Sequence, residues 1–237
     1  MLPNDLDLPR SLAILYIFAM WGLYSFILRT LGRGTLNAQL HVVRKRWMRM
    51  LMLTKREYRN FDALMLGQIS NSMSYFGSAT LLVLAGLVGT LANASNLFRS
   101  MQGLKFFPMI SLELFTFYLA TLTLIMAICF FSFTYALRKL SYMLAMVGAM
   151  SSGSIENTQS RIMIEETATV MTESVKSLNN GIRGFYFAVA ALFLFAGPYY
   201  CILMTTAISG LLFYRQGLST TALAVERYVD AVQESDS

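Results

Sequence analysis

Ionised side chains are scarce in this chain. Of 237 residues, 14% are charged and 56% hydrophobic, and the mean hydropathy is +0.53. A soluble domain carries about 25% charged residues, so this chain has too few to clothe a soluble globule. Disordered, collagen-like and disulfide-scaffold classes fall on the same arithmetic. Histidine occurs once, as His41, and cysteine twice, as Cys129 and Cys201. One histidine cannot supply bis-histidine haem ligation or a histidine-rich metal site, and no Cys-x-x-Cys occurs. Both cysteines fall inside apolar runs, so two free packed thiols are expected. No Gly-rich loop ends in Lys-Ser or Lys-Thr, which argues against a phosphate-cradling nucleotide site. His41 has no nucleophile beside it and reads as a headgroup or surface residue. No cofactor is implied.

What the chain does have is long charge-free runs. A helix rises about 1.5 Å per residue and the hydrocarbon core is about 30 Å thick, so a crossing needs roughly 20 apolar residues. Residues 11–28, 63–98, 114–137 and 184–214 are each free of charge. They must be helical, because an unpaired peptide group in lipid costs several kcal/mol. The runs are continuous and do not alternate, which excludes a membrane barrel. The expectation is an all-α integral membrane protein of one domain. It has four transmembrane helices, approximately 11–29, 70–92, 112–137 and 185–213, with cytosolic loops at 30–66 and 138–184. A basic interfacial helix and a cytosolic amphipathic helix complete it. The fourth run reads as one tilted helix kinked at Gly197-Pro198. Leu140–Met150 is too short to cross and reads as interfacial or re-entrant. Residues 1–10 lack the basic start of a signal peptide and hold Asp5 and Asp7, so the first span is expected to be retained.

Basic residues set the expected orientation. The segment between the first two spans holds nine: Arg29, Arg33, Arg44, Lys45, Arg46, Arg49, Lys55, Arg56 and Arg59. The segment before the fourth span holds Arg138, Lys139, Arg161, Lys176 and Arg183. Cytoplasmic loops are enriched in Lys and Arg, so both loops face the cytosol and both termini lie outside. The net charge of +6 is accounted for by this bias, and no nucleic-acid partner is expected.

Leu36, Leu40, Val43, Trp47 and Met50 recur at helical spacing. A basic helix with Trp beside a span lies in the interface plane, and each basic side chain near an anionic leaflet adds about 1 kcal/mol. Arg44, Lys45, Arg46, Arg49, Trp47 and, further on, Arg183 are therefore candidate contacts to anionic lipid headgroups. The alternative is that the same charges only set topology. In the second loop, Ile164, Ala168, Met171, Val175 and Leu178, with Ile182, form a heptad-like seam starting near Gly153 and Ser154. It must bury against the first loop, a second copy or another protein.

Gln68, Asn71, Tyr75 and Ser78 share one helical face and make the most polar intramembrane surface. Such groups bond neighbouring helices or line a solute path. Glu113 is placed to pair with Lys105 or Arg99 at the outer end. Gly86 and Gly89 permit close helix approach.

The segment Gly181-Ile182-Arg183-Gly184-Phe185-Tyr186-Phe187, followed by Gly197-Pro198, resembles the fourth-span signature of the domain of unknown function 599 family of bacteria and plants. Trp47-Met48, Asn71 and Lys105-Phe106-Phe107 support the resemblance, which covers roughly residues 10–215. The chain departs from it at Ala190, where plant members tend to have Pro, and at Leu194, where Trp is common. The resemblance implies a similar span count and no activity. The expected function is a non-enzymatic subunit of the bacterial inner (plasma) membrane, acting through self-association or a larger membrane complex. The alternative is a small-solute transporter or channel using the hydroxyl face with Thr123 and Thr205. An intramembrane enzyme fits least, for want of catalytic groups.

Overall fold

The structure is a computed structural model that describes residues 3, 5–30, 35–55, 60–101, 110–150 and 158–236. Arg33, Arg56, Arg59, Lys105, Phe106, Phe107, Gly153 and Ser154 lie outside the described residues. Helices α1 (Leu8–Thr30), α2 (Leu36–Leu53), α3 (Asn60–Ala92), α4 (Ala94–Met101), α5 (Leu112–Ala149), α6 (Thr158–Leu192), α7 (Pro198–Gly217) and α8 (Thr220–Asp236) follow in order. A 3-10 turn at Phe193–Phe195 separates α6 from α7, and no strand occurs among the described residues. Three helices are long and apolar enough to cross a membrane, Asn60–Ala92, Leu112–Ala149 and Thr158–Phe195, and Leu8–Tyr24 is a shorter apolar helix.

Hydroxyl caps begin three of the helices, each accepting an otherwise orphaned backbone N–H. Thr35 Oγ1 accepts from Ala38 N at 3.3 Å, Ser111 Oγ from Leu114 N at 3.2 Å, and Ser219 Oγ from Ala222 N at 3.1 Å.

The chain groups into two compact units. The first comprises Met1–Ile27, Ser78–Phe131 and Asn180–Tyr214, and the second Leu28–Gly77, Ser132–Asn179 and Arg215–Ser237.

In the first unit the fourth apolar run is not the single kinked helix expected of it. The ring of Tyr24 lies 4.8 Å from the Arg183 guanidinium carbon. The Tyr24 hydroxyl donates to the Leu212 carbonyl at 3.0 Å, and its ring stacks on Phe213 at 4.9 Å. A continuous helix would hold Arg183 and Leu212 about 43 Å apart at 1.5 Å per residue, so the chain doubles back between them. The reversal is made at Gly197, whose φ is +137°. Its N–H donates to Phe193 O at 3.1 Å and Leu194 O at 3.2 Å. Pro198 then opens α7, where its missing N–H costs nothing. The hydroxyls of Tyr16 and Thr206 meet at 3.1 Å. With the Tyr24–Leu212 bond, this makes α7 run parallel to α1 and antiparallel to the end of α6.

The second unit is built on an apolar core. It joins Met48, Leu51 and Met52 of α2, Leu66 and Met73 of α3, Leu140 and Met143 of α5, and Ile164, Ala168 and Met171 of α6. The seam read from the second loop is therefore occupied within the chain, with Val175 and Leu178 half-buried against the same core. Leu140–Met150 does not form a separate re-entrant segment: α5 continues through it to Ala149, and Leu140, Met143 and Met150 are core residues. Helix α8, which periodicity had not singled out, packs against α2 and buries Ala222, Val229 and Val232. A C-terminal helix packed on the basic helix leaves no room for a membrane between the two.

Candidate functional site

Helix α2 meets α6 through a polar seam. The residues α2 buries are Asn37, Arg44, Met48, Leu51 and Met52, one residue round from the stripe expected to be apolar; Met50 of that stripe is exposed. Arg44 Nη1 donates to Asn37 O at 3.0 Å and to Thr172 Oγ1 at 3.2 Å, and Asn37 Nδ2 donates to Thr172 O at 3.1 Å. Burial pushes the Arg44 pKa down to about 10, so it stays charged at neutral pH.

One turn away, His41 touches Thr172 Oγ1 through Nδ1 at 3.1 Å and Glu165 Oε1 through Nε2 at 3.2 Å. Lys45 Nζ closes on Glu165 Oε2 at 2.5 Å. Two clefts of about 420 and 410 Å³ open beside this group and share Lys45, Arg49 and Glu165; among the described residues Thr158, Arg161, Ile162 and Ile164 also line the first, and His41, Val42, Arg46 and Gln233 the second.

The hydrogen bond from Lys45, then that from His41, holds the Glu165 carboxyl below its ordinary value. A depressed acid contributes stability above its unfolded pKa, near 4.5, and loses it as pH falls through the folded value. Melting of the purified protein should therefore drop more between pH 7 and pH 4 than that of Glu165→Gln. The difference should stay below about 1 kcal/mol because the carboxylate is exposed to solvent. Equal pH responses in the two proteins would contradict the pairing.

Of the six candidate headgroup contacts, three turn inward. Arg44 is buried, Trp47 Nε1 donates to Asp62 Oδ1 at 2.7 Å, and Arg183 lies over Tyr24. Lys45, Arg46 and Arg49 line the clefts.

The polar face of α3 is also placed differently from expectation. Gln68, Asn71, Tyr75 and Ser78 are exposed, while α3 buries Leu66, Met73 and Thr80. Ser174 Oγ donates to Ala136 O at 2.7 Å and approaches Met73 Sδ at 3.8 Å. Met73 and Ala136 thus share a level, and Asn71 and Gln68 lie at that of Arg138 and Lys139 or beyond. Exposed amides cost little there, since charged neighbours mark the headgroup zone.

In the first unit, Gly184 allows α6 to press on α1 and α5. A Cβ at this position would lie 2.2 Å from Cys129 Sγ and 2.7 Å from Trp21 Cζ2. The stretch Gly181 to Gly197 thus contains both a contact that needs a missing side chain and a turn that needs positive φ. A family model described as a protein of unknown function, DUF599, matches residues 12–221. The chain belongs to that family. No curated protein and no solved structure matches the chain. The segment that carried the resemblance therefore has a structural content: Gly184 is the close approach, Arg183 and Phe187 pack on Tyr24 and Trp21, and Gly197-Pro198 is a reversal. Ala190 and Leu194 are both buried. The doubling-back was legible only as a bend, since Phe-Leu-Phe-Ala-Gly offers no polar loop to announce a turn.

Proposed function

We propose that this chain is an inner-membrane subunit that works by binding and not by catalysis, and that it pairs with a second copy through α3. The observation that carries this reading is the exposure of α3. It is a long apolar helix that gives its own chain one narrow edge and leaves Leu82, Ala85, Gly86 and Gly89 exposed, with open space at both glycines. Small residues on a membrane helix let a second backbone approach closely. The α6 seam is already filled and does not compete for this role. His41 and Glu165, the groups best suited to acid–base work, are spent on joining α2 to α6, which favours a structural use for them. The solute-path reading loses support, because the polar face it relied on points away from the chain's own packing.

The same reading has five crossings, by α1, α3, α5, the apolar end of α6, and α7. Residues 177–195 span about 28 Å and the 20 residues of α7 about 30 Å. The basic residues of α2 put α2 and α8 in the cytosol, with the N-terminus opposite.

Mass measurement of the detergent-solubilised protein should give a dimer. Gly86→Leu with Gly89→Leu should shift it to monomer by at least about tenfold in dissociation constant, or about 1.4 kcal/mol, without changing its melting. A monomer throughout, in mild detergent and in lipid nanodiscs, would refute the pairing.

A further inference from the structure

Helix α7 carries two buried hydroxyls that its own fold leaves unsatisfied. Thr205 is 0% and Ser209 2% exposed, and neither side-chain oxygen has a hydrogen-bond partner among the described residues. Such hydroxyls have an easy partner in the carbonyl four residues back in their own helix. Thr90, Thr116, Thr121, Thr123 and, on α7 itself, Thr206 all take it. Thr205 and Ser209 do not. The Thr205 hydroxyl adjoins the Cys201 thiol one turn earlier, and sulfur is a weak acceptor.

A third unsatisfied group stands at the same level. Trp21 of α1 is 6% exposed, and its Nε1, which can only donate, has no acceptor among the described residues. Two lines of geometry bring Trp21 to Ser209. The Tyr16–Thr206 and Tyr24–Leu212 bonds bracket Trp21 on α1 and Ser209 on α7. Counted from the turn at Gly197, Ser209 lies twelve residues on and Gly184 thirteen back, so antiparallel α6 and α7 set these two side by side. The Trp21 ring presses on Gly184, with Cζ2 2.7 Å from where a Cβ would stand. Trp21, Gly184, Thr205 and Ser209 all belong to the first unit.

A buried donor or acceptor without a partner forfeits its full solvation, and hydrocarbon supplies no substitute. Side chains one helical turn apart, as Thr205 and Ser209 are, have Cβ atoms about 5–6 Å apart. A water about 2.8 Å from each oxygen spans that gap, and about three hydrogen bonds are the usual complement of a buried water. We propose that the junction of α1, α6 and α7 holds one bound water, which accepts from Trp21 Nε1 and the Ser209 hydroxyl and donates to Thr205 Oγ1. The Thr205 hydrogen then remains for the Cys201 sulfur. All three groups around the water are uncharged, which suits a neutral molecule and not an ion. The water ties α1 to α7 inside the membrane crossing. The proposal is independent of pairing through α3.

The test is radiolytic hydroxyl-radical labelling of the full chain in nanodiscs, in water enriched in heavy oxygen, read by mass spectrometry. The radicals arise from water itself, so a buried ring is labelled where a bound water touches it. Trp21 and Trp47 are the two tryptophans of the chain, and Phe133 is a fully buried ring stacked on Phe76. Trp21 should take up label well above Phe133. Thr205→Val with Ser209→Ala should cut Trp21 labelling at least about fivefold and leave Trp47 unchanged, because a cavity without polar partners stays dry. Melting curves establish that the variant is folded; if it is not, Ser209→Ala alone, which deletes one oxygen, carries the test with a smaller loss expected. Trp21 labelling as low as that of Phe133 overturns the proposal, as does labelling that the folded variant retains in full.

Discussion

Replacing Gly184 by alanine is expected to lower the melting temperature by about 6 °C. The added Cβ would meet Cys129 Sγ at 2.2 Å and Trp21 Cζ2 at 2.7 Å. Both neighbours are buried, with Cys129 at 0% and Trp21 at 6% exposure, so neither can swing into open space. Overpacking a filled core costs about 1–3 kcal/mol, and in a chain of this size each kcal/mol moves the midpoint by about 2–4 °C. The double variant Gly184→Ala with Cys129→Ala should recover part of the loss, because it removes the nearer of the two atoms and leaves Trp21. Heating the detergent-solubilised variants, with intrinsic fluorescence as readout, measures both. An unchanged midpoint for Gly184→Ala would mean that α6 does not press on α1 and α5 in this way.

The second large effect is one of sign. A glycine inside a continuous helix weakens it, and alanine in its place stabilises by about 0.5–1 kcal/mol. Gly197 has a φ of +137°, a conformation that costs other residues about 1–3 kcal/mol. Its surroundings are not tight: the nearest atom to an added Cβ is Tyr200 Cδ2 at 3.6 Å. The penalty is therefore conformational, and Gly197→Ala and Gly197→Ser should destabilise alike. Stabilisation by alanine would restore the picture of a kinked single helix.

These two glycines show where the sequence was legible. The shortage of charge and the continuous apolar runs gave the helices, because the physics of burying peptide groups in oil leaves no other choice. The seam from Ile164 to Leu178 was readable because its spacing marks a buried face whatever the partner. The α2 face was misread by one position. Hydropathy assigns Arg44 to solvent, yet Arg44 is drawn inward by Asn37 O and Thr172 Oγ1, groups that lie distant in sequence or on the backbone. The reversal at Gly197 was hidden because a turn made of Phe193, Leu194, Phe195 and Ala196 leaves no dip in hydropathy. The clefts were out of reach for the same reason as Arg44: Arg161 and Lys45 come together only through the pairing of α2 with α6.

The doubling-back is the claim on which the topology rests, and labelling of single introduced cysteines tests it directly. Leu8, Met50 and Leu223 are exposed positions on α1, α2 and α8, and the native Cys129 and Cys201 are buried. With a membrane-impermeant thiol reagent applied to intact cells and to inverted vesicles, Met50→Cys and Leu223→Cys should react from the same side and Leu8→Cys from the other. Reaction of Leu223→Cys together with Leu8→Cys, and apart from Met50→Cys, would contradict the reversal at Gly197 and the five crossings built on it.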